Sequence, residues 1–319
     1  MKIKSVGGEQ GLIKMIERKP RNKNVLLGIG DDAAIIKTGK KLVLTTDLLV
    51  EDDHFSLKWS TPKQIGAKAM EVNVSDVGAM NAKPLYALVS VCLKKSSSVE
   101  FVKGLYNGIN SVAKKYKIDV IGGDFTHGEK VVVNIALIGE PVGKPCLRKG
   151  AKVGDYIFVS GKTGESTAGL ELFRKKVKGF KKIKKKHLEP KAELRKALQI
   201  GKIATSMEDV SDGIASEVKN ICIQSKCGAE IFTDKVPIAA DVKKAAEKLG
   251  KSALDFSLFG GEDFQLVFTV PKKDLFKAKK LGSLIGRITS GKKVFLVENC
   301  NKKDCKKKEL KKVGYDHFA

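Results

Sequence analysis

The sequence predicts an α+β fold of two domains, residues 1–142 and 150–319. Its 319 residues are enough for about two domains of ordinary size. Strand-like runs and helix-like pairs alternate without the regular strand–helix–strand beat of a doubly wound sheet. Between them, residues 141–154 are rich in Gly, Pro and Lys, the composition of a boundary.

The elements follow in order. Residues 10–18 carry Leu12, Ile13 and Ile16 on one side, which predicts a short amphipathic helix. Residues 42–46 are apolar and β-favouring and end at Asp47. Thr61-Pro62-Lys63-Gln64 joins a capping box to a proline at the first helical position. A helix therefore starts there and runs through Ile65, Ala69, Val72 and Val77 to about Met80, with Asn73 and Asp76 on one face. Residues 85–93 read as a strand, and Ser97-Ser98-Val99-Glu100 opens a second helix with a second capping box, ending near Lys117. A short strand at 119–121 leads into Gly122-Gly123-Asp124, and 130–138 reads as its antiparallel neighbour after a turn near Gly128. The second unit opens with a strand at 156–159, the small residues of Ser160-Gly161-Lys162-Thr163-Gly164, and a helix. Further helices are expected at about 190–205, 212–225 and 238–249, and strands at 264–270, 283–289 and 293–298. A Lys-rich segment, 301–313, leads to Gly314-Tyr315-Asp316-His317-Phe318.

Composition narrows the function classes. The longest apolar stretches are strand-length and broken by charge, so no membrane-spanning helix is expected. The first residues lack an apolar core followed by a cleavage site, so no secretory signal is expected and a cytoplasmic protein is the default. There are 61 Lys and Arg against 36 Asp and Glu, a formal charge of +25. The densest basic block, 174–191, contains Phe180 as its aromatic residue and no helix-turn-helix pattern. It reads as a solvated face rather than a nucleic-acid site, and the general field favours anionic substrates. The cysteines at 92, 146, 222, 227, 300 and 305 form no C-x-x-C and lack nearby histidines, so reduced thiols are expected rather than zinc.

Against this basic background, aspartates recur beside small residues. The motifs are Gly28-Ile29-Gly30-Asp31-Asp32-Ala33-Ala34, Thr45-Thr46-Asp47, Asn73-Val74-Ser75-Asp76, Gly122-Gly123-Asp124, Asp209-Val210-Ser211-Asp212-Gly213 and Gly260-Gly261-Glu262-Asp263. Each has an ordinary reading as a turn, a helix cap or a loop. Their recurrence points to carboxylates gathered around magnesium, which takes hard oxygen ligands and bridges phosphate oxygens. Without cations such carboxylates would repel one another and shift their pKa values. Gly161-Lys162-Thr163 is not a Walker A motif, because Tyr156 stands where its first glycine is required. Small residues opening the following helix still offer backbone donors to an anion. His54, after Glu51-Asp52-Asp53, reads by itself as a loop histidine among acids.

Taken in order, these motifs and the terminal Gly314 to Phe318 resemble the thiamine-monophosphate kinase family, within the superfamily that includes aminoimidazole ribonucleotide synthase. The resemblance runs from about residue 8 to the C-terminus. It implies two α/β domains of the aminoimidazole ribonucleotide synthase type, the first pairing with its copy in a homodimer and the second covering the nucleotide. It implies an ATP- and magnesium-dependent phosphorylation of thiamine monophosphate to thiamine diphosphate. By the family pattern, Asp31, Thr45, Thr46, Asp47, Asp76, Asp124, Asp209 and Asp212 would hold magnesium. Tyr106, Gly123, Asp124, Arg148 and Ser211 would contact ATP, and His54, Glu262 and Tyr315 the acceptor. Among these, Asp31, Asp76, Asp124 and Asp209 are the expected catalytic set. Departures are Phe125 where the family usually has Thr, Gln265 for a common Glu, and Tyr315 where Trp is frequent. Tyrosine keeps an aromatic face for a cationic ring. Within the superfamily, selenophosphate synthetase is disfavoured because no Cys precedes Cys92, and a carbamoyl-dehydrating enzyme because Phe318-Ala319 ends the chain without one. Aminoimidazole ribonucleotide synthase remains the alternative.

Overall fold

The computed structural model describes residues 23–27, 31–298, 306–312 and 314–315. The expected helix at 10–18, the residues Gly28, Ile29 and Gly30, the cysteines 300 and 305, and Asp316, His317 and Phe318 lie outside the described residues.

The first half builds a sheet from β1 (Val25–Leu27), β2 (Ala34–Thr38), β3 (Lys40–Val50), β4 (Ala82–Leu93), β5 (Asp119–His127) and β6 (Val132–Pro141). Its order is β1-β2-β3-β6-β4-β5, antiparallel except where β5 runs parallel to β4. The expected β5–β6 neighbours are thus separated by β4. The reason is burial: Val133, Ile135 and Leu137 of β6 are fully buried and require strands on both sides, whereas β5 is largely exposed at the edge. Gly122, Gly123 and Asp124 lie inside β5 rather than in a loop after it.

Helix α1 (Pro62–Ala79) lies on one face of this sheet, and α2 (Val99–Tyr116) packs on α1. Both arms of the expected capping box at Thr61 are present: its hydroxyl accepts from Gln64 N at 3.3 Å, and its own N–H donates to Gln64 Oε1 at 3.0 Å. The cap of α2 is Ser98, one residue later than expected, accepting from Phe101 N at 3.1 Å. Ser97 instead closes the preceding turn through its N–H to Lys94 O.

The second half contains a sheet ordered β13-β12-β9-β11-β7-β10-β8. Its strands are β7 (Tyr156–Val159), β8 (Ser206–Asp209), β9 (Gly228–Phe232), β10 (Leu266–Val270), β11 (Ser283–Thr289), β12 (Val294–Glu298) and β13 (Lys306–Glu309). Its helices are α3 (Glu165–Arg174), α4 (Lys181–Leu188), α5 (Leu194–Ile200), α6 (Ile214–Ser225), α7 (Ala240–Leu249), α8 (Ala253–Phe259) and the short α9 (Leu275–Ala278). Strands β8, β9 and β13 and helices α4, α8 and α9 were not expected. Inside the Lys-rich block, Ile183 and His187 turn inward and give α4 a buried side that the lysines obscure in sequence. The long helix expected at 190–205 shrinks to α5, because Ser206 to Asp209 are all buried and pair with β10.

The halves are packed together. Ala192, Leu194 and Phe264 join the core of the first sheet, while Ala79 and Cys146 join Phe158, Ala197 and Phe268. Cys92, Cys146, Cys222 and Cys227 are free thiols. Among the described residues, no helix is long and apolar enough to cross a membrane.

Candidate active site

Where β3, α1 and β8 converge, carboxylates from distant motifs meet. Oxygens of Asp32, Asp76 and Asp209 all lie within 4.8 Å of one another. Thr45 on β3 donates its hydroxyl to Asp76 Oδ2 at 2.5 Å. Ser75, beside Asp76, donates to Asp209 Oδ2 at 2.5 Å and so ties α1 to the second half. Asp31 accepts from Asp32 N at 3.0 Å and from Arg148 N at 3.2 Å. The Arg148 guanidinium donates to Asp32 Oδ1 at 2.6 Å and sits 2.9 Å from Glu208 Oε1.

Burial lifts the Asp76 carboxyl well above the usual range, and the charges of Asp47, Asp209 and Asp32 lift it further. Burial likewise raises Asp209 strongly, and Asp32 against the pull of Arg148. Asp31 is pushed up to about 7 by burial and by Asp32, and Asp47 to about 6, chiefly by burial. A set of protein groups this conflicted is what a divalent cation relieves. The fit can be tested on the oxygens themselves. Asp32 Oδ2 and Asp47 Oδ2 are buried with no hydrogen-bond partner, so they remain acceptors in search of a cation. Residues of the right chemistry for magnesium are therefore present.

The expected metal residues do not all fall here. Cross-strand pairing aligns Leu48, Asn134, Ser90 and Asp124 in one row, and Asp47, Ile135, Val89 and Gly123 in the next. Because successive side chains alternate faces, Asp47 faces the helices with buried Ile135 and Val89, while Asp124 stands on the open face. Thr46 is also on the open face, where its hydroxyl accepts from Asn134 Nδ2 at 2.8 Å. Asp212 follows the cluster in the turn before α6, its N–H donating to Glu217 Oε1 at 2.8 Å. Of the expected ATP contacts, Arg148 lies against the cluster and Ser211 in the same turn as Asp212, its carbonyl accepting from Glu262 N at 2.7 Å. Tyr106 and Gly123 lie by the β5 edge, Tyr106 packing 5.8 Å from Phe125. Gly123 is three strands from Asp47, about 14 Å at ordinary strand spacing. Its glycine is required because a Cβ would strike the Val89 carbonyl.

Of the expected acceptor residues, His54 lines a cavity of about 290 Å³ with Asp53, Trp59, Arg174 and His187 among others, and Tyr315 and Glu262 reach that lining through Asp53 and His187. His54 Nδ1 accepts from Val50 N at 3.1 Å, which fixes its ring. Tyr315 donates to Asp53 Oδ1 at 2.9 Å, and burial together with that carboxylate pushes its phenol up to about 12. Glu262 pairs with Lys68 at 2.5 Å and lies 3.4 Å from His187 Nδ1. The start of α3 does not offer its donors to a ligand. Asp263 accepts from Gly164 N at 2.5 Å and Ser166 N at 3.0 Å, and burial pushes this carboxyl up to about 7 against those bonds.

Some residues of the site were not singled out in sequence. Asp32 was absent from the expected metal set although its own motif contains it. Glu208, beside Asp209, had an acidic-pair signal. Ser75 sits within a named motif, whereas Lys68, Trp59 and His187 lie outside all of them and had no signal.

Two domain families of one superfamily match the chain in succession: AIR synthase related protein, N-terminal domain, over residues 30–140, and its C-terminal domain over 152–299. Within that superfamily the chain belongs to the thiamine-monophosphate kinase family. It is 37% identical to the thiamine-monophosphate kinase of Aquifex aeolicus over 326 residues, covering 100% of each chain. To the Bacillus subtilis thiamine-monophosphate kinase it is 36% identical, over 94% of this chain and 96% of that one. The solved structure of AaThiL complexed with AMPPCP and TMP superposes with a TM-score of 0.88 at 36% identity, covering 100% of this chain and 99% of that chain.

Proposed function

We propose that the protein transfers the γ-phosphoryl group of ATP to the phosphate of thiamine monophosphate, giving thiamine diphosphate and ADP, by direct in-line displacement. This is the final step of thiamine diphosphate biosynthesis, and we assign it to the cytoplasm. The observation that carries the reading is the convergence of Asp32, Asp76 and Asp209 with unpartnered oxygens on Asp32 and Asp47. The likeness to AaThiL in complex with an ATP analogue and TMP supports it.

Joining two phosphates brings polyanions together, and the repulsion has to be met by positive charge. Several magnesium ions held by Asp31, Thr45, Asp47, Asp76, Asp209 and Asp212, with Asp32 added and Thr46 and Asp124 on the open face, would supply that charge and align the groups. Arg148, already ionised and fixed between Asp32 and Glu208, adds a cation that cannot drift. Tyr106, Gly123 and Ser211 would hold the rest of the nucleotide. His54, Glu262 and Tyr315 would orient the thiamine portion, Tyr315 offering a ring face to the thiazolium. The acceptor phosphate is ionised at neutral pH and needs no strong general base. No phosphoenzyme forms on this path, so radiolabel from ATP trapped on the protein at a competent rate would end it.

On the same reading, residues 1–142 bind metal and ATP and pair with a second copy, and residues 150–319 cover the nucleotide. The open face of the first sheet suits pairing: Leu48, Tyr86 and Leu88 are 52%, 43% and 42% exposed there. The first test is incubation of the purified protein with ATP, magnesium and thiamine monophosphate, with products separated by chromatography. Equal amounts of thiamine diphosphate and ADP, abolished by EDTA, are expected. No diphosphate from a folded, ATP-binding protein would redirect the assignment to a superfamily sibling such as aminoimidazole ribonucleotide synthase.

A further inference from the structure

Glu262 has each carboxylate oxygen engaged by a side chain from a different part of the chain. Lys68 Nζ lies 2.5 Å from Oε1, and His187 Nδ1 lies 3.4 Å from Oε2. Lys68 comes from α1 in the first half and His187 from α4 in the second, and each is 3% exposed. The Lys68 ammonium also donates to the His54 carbonyl at 2.7 Å, and His187 Nδ1 is 3.2 Å from Ser166 Oγ. Burial works against the Glu262 carboxylate, yet Lys68 and His187 hold it ionised below the usual range.

The backbone is also constrained. Glu262 has φ +64° and the buried Phe264 has φ +47°. Such left-handed non-glycine residues persist only where their surroundings over-determine them. One contact doing so is the bond from Glu262 N to the Ser211 carbonyl.

This network reaches the cavity that Asp53, the hydrogen-bond acceptor of Tyr315, helps to line, and it does so through two residues. His54 and His187 line it, and so does Trp59, which stacks on Phe173 with centroids 5.3 Å apart. Phe173 in turn lies 6.2 Å from His187. Lys68 therefore holds one wall through the His54 carbonyl, and Lys68 and His187 together hold the carboxylate. A lysine this buried is costly unless its bonds are kept.

We propose that Lys68 and His187 are positioning residues for the acceptor. Acting through Glu262 and the His54 carbonyl, they fix the acceptor cavity across the two halves of the chain, and so set the KM for thiamine monophosphate and not that for ATP. This rests on the reading of Glu262 as an acceptor contact.

The test uses Lys68→Met, Lys68→Arg and His187→Gln in the full chain, with turnover measured separately against thiamine monophosphate and ATP. Binding of thiamine monophosphate is followed in parallel by fluorescence of Trp59, the single tryptophan of the chain. Lys68→Met and His187→Gln are expected to raise the acceptor KM by about tenfold or more, the scale on which lost supporting contacts act. The ATP KM should stay nearly unchanged, and Lys68→Arg, which keeps a cation in reach, should recover most of the loss. The Trp59 titration should weaken in step, independently of turnover. An unchanged acceptor KM, or equal rises in both KM values with a lowered Tm, would reduce the pair to a structural contact. Should Lys68→Met not fold, the same split in His187→Gln decides. A wild-type protein whose Trp59 responds to thiamine monophosphate but makes no diphosphate would sink the proposed reaction, while binding losses in the variants would still uphold the positioning role.

Discussion

Asp76 stands against Asp32, Asp47 and Asp209 with the Thr45 hydroxyl donating to it, an arrangement that repels itself until a cation arrives. Asp76→Asn is expected to lower turnover by roughly 10²-fold or more. The metal-free fold should be no less stable, because Asn is neutral without taking up a proton and keeps an oxygen that can accept from Thr45; assays paired with thermal melts in EDTA check both. Asp124→Asn, on the exposed face, should likewise cost far more in turnover than in melting temperature. The cluster also sets a pH dependence. Asp31 is held at about 7 and Asp47 at about 6, against 3.8 for an ordinary Asp. Between about pH 4 and about 7 the folded state therefore binds more protons than the unfolded chain. The stability these groups contribute is present below about pH 4 and is lost as pH rises through their folded values. In EDTA this contribution should fall across that window, and magnesium should stabilise more at about pH 8 than at about pH 5. A magnesium-induced rise in Tm that is larger at the lower pH would contradict the protonated cluster.

At the scale of elements, α1 carries most of the construction, because it presents Ser75 and Asp76 to the second half and Lys68 to Glu262. Its placement depends on close approach to α2. A Cβ on Gly108 would strike the Lys63 carbonyl, and one on Gly66 the Leu105 carbonyl. Gly108→Ala is expected to destabilise the fold by about 1–3 kcal/mol, the usual scale of overpacking, as read from urea unfolding. Helix α1 was legible in sequence because its start is local chemistry: Thr61, Pro62 and Gln64 satisfy one another whatever surrounds them. The order of β4, β5 and β6 was not, since adjacency in sequence suggests a hairpin and only burial on both sides of β6 forbids it. Helix α4 was hidden for a related reason, its inward positions Ile183 and His187 being outnumbered by lysines.

For the whole molecule, the open face of the first sheet bears on assembly. On the proposed pairing, the unaltered protein should sediment as a dimer and Leu88→Glu at the exposed centre of that face as a monomer that stays folded by circular dichroism. A dimer unaffected by that charge would move pairing to another surface. The formal excess of +25 gives the chain a net positive field, which favours the approach of anionic substrates.

The sequence by itself determined the family, the helix that starts at Thr61, and the aspartate motifs, because small residues, caps and carboxylates speak through local chemistry. Tertiary structure decided which of those aspartates meet. It put Asp32, Asp76 and Asp209 within reach of one another, set Asp124 on the opposite face from Asp47 through strand alternation, and closed Lys68 and His187 on Glu262. Such contacts join residues far apart in the chain, and they exist only after the two halves bury their shared core, so no local pattern could contain them.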